Sequence, residues 1–156
     1  MFITMKEIKY NIVGDIFSHI ENSIKVDCFD LLNDISDIHN MGENVGNAGN
    51  HNGAIMCYNE IEPYAADMVD IISGIIEDVR KLKPAIAVYD DKGNISKWVK
   101  LLNKQKERAN NIRKCNRDKV AECKSAQSPK FIGFITSVLY VIDEIEAFIS
   151  DIMETE

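Results

Sequence analysis

The chain has 156 residues, 46% of them hydrophobic, and a formal net charge of −7. That is enough apolar content for one core and excludes disorder of the whole chain. The longest uncharged apolar run, Phe131 to Ile142, falls short of the roughly 18 residues a membrane-spanning helix needs.

Met1 to Tyr10 lack the basic run, apolar stretch and small-residue cleavage site of a secretory leader, which points to a cytoplasmic protein. In that compartment Cys28, Cys57, Cys115 and Cys123, which follow no tight ligand spacing, are expected as free thiols. Two disulfides are the alternative if the protein is exported. Charge is unevenly spread. Residues 1–92 carry 16 acidic and 7 basic groups, 93–130 carry 3 and 11, and 131–156 carry 6 and none.

From about 5 to 39 the pattern is helical, first as Ile8, Ile12, Ile16, Ile20 and Ile24, then as Ile24, Cys28, Leu31, Ile35 and Ile38. Each step of four overshoots a helical turn by about 40°. The stripe therefore rotates, and the segment is expected to bend or break near Asn22–Ser23 before regaining a heptad-like seam. Residues 40–54 hold Gly42, Gly46, Gly49 and Gly53 among several asparagines and read as a long loop.

A second helix over about 55–82 carries the seam Ile61, Ala65, Met68, Ile72, Ile75, Val79 and Leu82. Pro63 suits a first helical turn, which places the main start near Glu62 after a short turn around Met56–Glu60, and Pro84 marks the end. Asp91 to Asn94 form a turn, and Asn94 or Ser96 is the expected cap of a third helix over about 95–124. Its apolar stripe is narrow: Trp98, Leu102, Ala109, Ile112, Val120 and Cys123, interrupted by Gln105 and Asn116. A fourth helix over about 129–153 repeats the heptad seam with Phe131, Ile135, Val138, Ile142, Ile145, Ile149 and Ile152. The fold expected is all-α: a single-domain antiparallel four-helix bundle with a Gly/Asn-rich loop after its first helical segment.

The third helix is the first candidate surface. Lys97, Lys100, Lys104, Arg108 and Lys119 line one flank of its stripe, and Lys106, Arg113, Arg117 and Lys124 the other. Such rows either meet acidic flanks of neighbouring helices or follow a nucleic-acid backbone. The absence of interleaved aromatic residues disfavours base stacking. Asn44, Asn47 and Asn50 in the 40–54 segment are the second candidate for partner contact.

Acids spaced three apart, Asp34/Asp37, Asp67/Asp70, Asp143/Glu146 and Asp151/Glu154, are the pattern a metal-dependent all-α hydrolase needs, but the seams put them on outward or flanking positions. His39, Glu43, His51 and Cys57 are chemically able to bind zinc, yet their spacing matches no zinc motif. Nucleophilic catalysis would require one of only three histidines, His19, His39 and His51, to meet a serine or cysteine. Trp98 and the tyrosines at 58, 64, 89 and 140 read as padding at the ends of the core.

No catalytic residues, metal or cofactor are therefore expected. The function expected is a non-enzymatic protein–protein interaction module, such as an adaptor, inhibitor or immunity-type protein. A nucleic-acid-binding subunit using residues 97–124 is the first alternative, and a metal-dependent hydrolase the second. Homo-oligomerisation is suggested by an outer apolar row of Ile71, Ile76, Phe134, Val141 and Phe148 that is wide for a monomer.

Overall fold

In a computed structural model, residues 5–118 and 127–154 are described, with side chains over 11–114 and 130–152. Among them the chain is almost wholly helical, with no strand. Helix α1 (Met5–Asn22) runs through a π turn (Ser23–Cys28) into α2 (Phe29–Asn47). Helix α3 (His51–Ile86) follows, then a 3₁₀ turn (Ala87–Tyr89), α4 (Asn94–Asp118) and α5 (Gln127–Glu154).

The first rod keeps its apolar side inward by changing its winding. Val13, Ile20, Ile24, Cys28, Leu32 and Ile35 are buried, whereas Ile12 is 50% exposed. The expected isoleucine stripe thus starts one residue out of phase, and the Ile8 side chain lies outside the described residues. The i→i+5 bonds of the π turn take more chain per turn than an α-helix. The expected break at Asn22–Ser23 is this turn. Two consecutive four-residue steps, Ile20 to Ile24 to Cys28, therefore stay on the core side without interrupting the rod.

The 40–54 loop expected from composition is not there. Helix α2 continues to Asn47 and α3 begins at His51, which leaves Ala48–Asn50 as the connection, with Gly49 at φ +90°. Gly42 and Gly46 lie against Tyr58 and Ala54, so glycines that weaken a lone helix here let two helices approach closely. Asn50 caps α3, its Oδ1 accepting from the Gly53 backbone N–H at 2.9 Å.

Pro63 is not in a first turn but inside α3. It lies exposed, as does Asn59, whose carbonyl loses its usual donor and faces water instead. Helix α4 starts where expected, but neither Asn94 nor Ser96 caps it. The Asp90 carboxylate accepts from the backbone N–H groups of Asn94 at 2.6 Å and Ile95 at 3.1 Å, reaching back across a turn closed by Gly93 at φ +70°.

Cross-helix contacts fix the directions. Tyr58 meets Glu43 and His19 meets Asp78, so the first rod and α3 run antiparallel. Lys97 meets Glu144 and Arg108 meets Gly133, so α4 and α5 do too. Helix α3 also packs on α4, and α5 on α1 and α2. All seven seam residues of α3 and all seven of α5 are buried, from 0% to 9% exposed, which confirms both heptads. Ile76, Phe134 and Val141 are buried within the chain, and Ile71 and Phe148 are half-buried against the same core. The row that suggested self-association is therefore consumed by the fold itself. Val120 and Cys123 lie outside the described residues.

Candidate functional site

The two basic flanks of α4 meet different fates. Lys97 Nζ lies 3.5 Å from Glu144 on α5. On the other flank Arg113 donates to Glu62 Oε1 on α3 through Nε and Nη2, at 3.2 and 2.8 Å, and through Nη1 to Asn110. These two cations pair across helices, Lys97 while remaining exposed and Arg113 while half-buried.

Lys100, Lys104 and Arg108 are exposed and form no ion pair among the described residues. Arg108 instead lies over Gly133 on α5, and with Asn111, Ile112 and Lys130 it lines a cleft of about 270 Å³. The side chains of Arg117, Lys119 and Lys124 lie outside the described residues.

The opposite hairpin carries the opposite charge. Residues 26–79 contain eleven Asp and Glu and no Lys or Arg. Asp27, Asp30, Asp34 and Asp37 on the π turn and α2 and Glu60, Asp67, Asp70 and Glu77 on α3 are exposed. At the closed end of this hairpin Glu43, Gly46, Asn47, His51, Ala54, Ile55 and Tyr58 line a cleft of about 400 Å³.

Tyr58 is 2% exposed, and its hydroxyl donates to Glu43 Oε1 at 2.7 Å. Burial first, and the neighbouring carboxylate second, hold this phenol above its ordinary pKa, so it stays protonated and serves as a fixed donor. His39 is buried beside it, its ring centroid 5.9 Å from that of Tyr58 and its Nε2 3.8 Å from Glu43 Oε1. Asn44 and Asn47 occupy the last turn of α2 rather than a loop, and both are exposed. Met41 on α2 and Ile55 and Met56 on α3 are also exposed.

His39, Glu43 and His51 thus gather at one end of the hairpin, yet among the described residues no group of three or more His, Cys, Asp and Glu is placed to hold a metal ion. The paired acids of the hydrolase reading, apart from Glu154, whose side chain is outside the described residues, face outward. Cys28 is a free thiol packed in the core, where burial pushes its pKa up to about 12, and Cys57 is free and half-buried. Among the described residues no helix is long and apolar enough to cross a membrane.

Trp98 and Tyr58 are core residues, with Trp98 edge-on to Phe148 at 5.5 Å, and Tyr64 and Tyr89 are half-buried. Tyr140 departs from the padding role expected of it: it is 65% exposed on α5. The reading of the sequence also passed over Lys130, Gly133 and Asp78. A glycine inside an uninterrupted helical pattern was the available signal for Gly133. Asp78 is a buried carboxylate, 6% exposed, that accepts from His19 Nδ1 at 2.5 Å and lies 3.6 Å from Lys81. It joins α1 to α3.

The chain matches no protein-family model, no curated protein and no solved structure.

Proposed function

We propose that the protein is a non-enzymatic protein–protein interaction module, an adaptor, inhibitor or immunity-type protein acting in the cytoplasm. Its scaffold on this reading is a one-domain antiparallel four-helix bundle, which the opposed helix directions and short turns support. The observation that carries the functional reading is the closed end of the α2–α3 hairpin. A cleft of about 400 Å³ opens there, with exposed Ile55 in its lining. An exposed apolar side chain in a concave site with a few polar groups is what a partner buries at the centre of an interface. Asn44 and Asn47 then supply rim hydrogen bonds, while Asn50 is spent on capping α3.

The test is capture of partners by tagged full-length protein from source-cell lysate, with and without nuclease. Wild type is compared with an Asn47→Trp/Ile55→Glu variant and with a Lys100→Glu/Lys104→Glu/Arg108→Glu variant. The expected result is a protein partner that survives nuclease and is lost from the first variant. A partner retained equally by both variants would refute the assignment. The nucleic-acid alternative rests on a different surface, the groove between α4 and α5.

A further inference from the structure

That groove is cationic in a way the fold does not neutralise. From Lys100 to Ile142 the sequence has ten Lys and Arg against three Asp and Glu. One ion pair, Lys97–Glu144, spans the two helices at one end, and Lys104, Arg108 and Lys130 have none among the described residues.

Arg108 lies against α5 without an ion-pair partner among the described residues. A Cβ on residue 133 would stand 3.1 Å from its Nη2, so the guanidinium lies close over the α5 backbone at this glycine. The guanidinium lines the cleft with its charge unspent. Lys130 and Asn111 complete the cleft with a second cation and an amide.

The cations continue beyond the cleft. Lys104 and Lys100 follow Arg108 at four-residue intervals, a rise of about 6 Å each. An aromatic residue joins them: since Arg108 meets Gly133 and Lys97 meets Glu144, Tyr140 falls level with Leu101, between those two contacts. Its 65% exposure leaves a ring face open to solvent.

From this geometry we infer that the α4–α5 groove binds single-stranded nucleic acid. One phosphate sits between Arg108 and Lys130, Lys104 and Lys100 neutralise successive phosphates, and one base stacks on Tyr140. The inference is independent of a protein partner at the α2–α3 end. A single phosphorylated side chain would fill the cleft but leave Lys104 and Lys100 unused. A duplex would present no open base to Tyr140.

The test is fluorescence anisotropy of a labelled oligouridine 20-mer titrated with full-length protein. With four cations engaged, affinity should fall about 50-fold between 50 and 200 mM monovalent salt. Lys104→Gln and Arg108→Gln should each lower the slope of log affinity against log salt by about 0.7. Tyr140→Ala should weaken binding by about fivefold or more at constant charge. A Lys83→Gln/Lys92→Gln control should leave it unchanged.

All altered side chains are exposed, so unchanged far-UV circular dichroism is expected for each. Absence of binding at 50 mM salt overturns the inference, as does binding indifferent to the Arg108, Lys104 and Tyr140 changes. Tighter binding of the matching duplex, or of a singly phosphorylated peptide, overturns it in favour of that ligand.

Discussion

Gly42→Ala should destabilise the protein, although the same change inside a helix ordinarily stabilises it by about 1 kcal/mol. A Cβ at position 42 would lie 2.7 Å from Tyr58 Cε1, 3.0 Å from Cζ and 3.2 Å from Cδ1. The ring cannot swing aside cheaply, because it is 2% exposed and its hydroxyl is bound to Glu43. Overpacking of this kind costs about 1–3 kcal/mol, and losing a hydrogen bond to a carboxylate costs about 1.5–3 more. The expected net loss, after the gain in helix propensity, is about 1.5–5 kcal/mol. Gly74→Ala is the matched control: its Cβ would meet nothing within 4 Å, so it should gain about 0.5–1 kcal/mol. Urea unfolding followed by circular dichroism reads both as midpoint shifts at constant slope. In a Gly42→Ala/Tyr58→Leu double variant the two effects should be strongly non-additive, since the leucine leaves space for the new methyl group. A Gly42→Ala protein as stable as wild type would refute the close approach of α2 and α3.

Other substitutions probe the first rod, the start of α4 and the buried thiol. Val13→Ala should cost about 1–3 kcal/mol and Ile12→Ala less than about 0.5, reversing the order that the isoleucine stripe alone suggests; urea midpoints decide it. Asp90→Ala should cost about 0.5–2 kcal/mol by stripping two bonds from the start of α4, whereas Asn94→Ala should be nearly neutral in the same assay. Cys28 titrates near 9.0 when unfolded but near 12 when folded, so the unfolded chain releases its proton first and stability should fall as pH rises above 9. The slope from this group is at most about 1.4 kcal/mol per pH unit, and Cys28→Ala should flatten it in unfolding curves measured at several alkaline pH values.

The α3 and α5 heptads were readable because seven successive buried positions obey one period, so the core side follows from spacing alone. Gly42, Gly46 and the asparagines misled for a definite reason. Composition reports the local cost of a helix, whereas the close packing of Tyr58 and Ala54 that offsets it is set by residues a full turn or more beyond the connection. The same holds for Pro63, whose missing bond matters little where Asn59 faces water. For the candidate sites, charge and spacing identified Lys100, Lys104 and Arg108 but could not separate them from Lys97 and Arg113. That separation depends on whether Glu144 and Glu62 lie within reach, a property of helix rotation rather than of sequence order.

The π turn has an evolutionary corollary. Val13 and Ile20 project a heptad onward to Asp27, 34 and 41, while the buried set after the turn is Cys28, Ile35 and Gly42, one residue later throughout. Ser23–Cys28 therefore behaves as the scar of a single-residue insertion accommodated without disturbing either half of the rod. Lys25, Val26 and Asp27 all point outward, so a relative of this chain lacking any one of them would thread the same core with an unbroken α-helix. Length variation among such relatives is expected to concentrate there, at a site where gaining or losing a residue leaves every buried side chain in place.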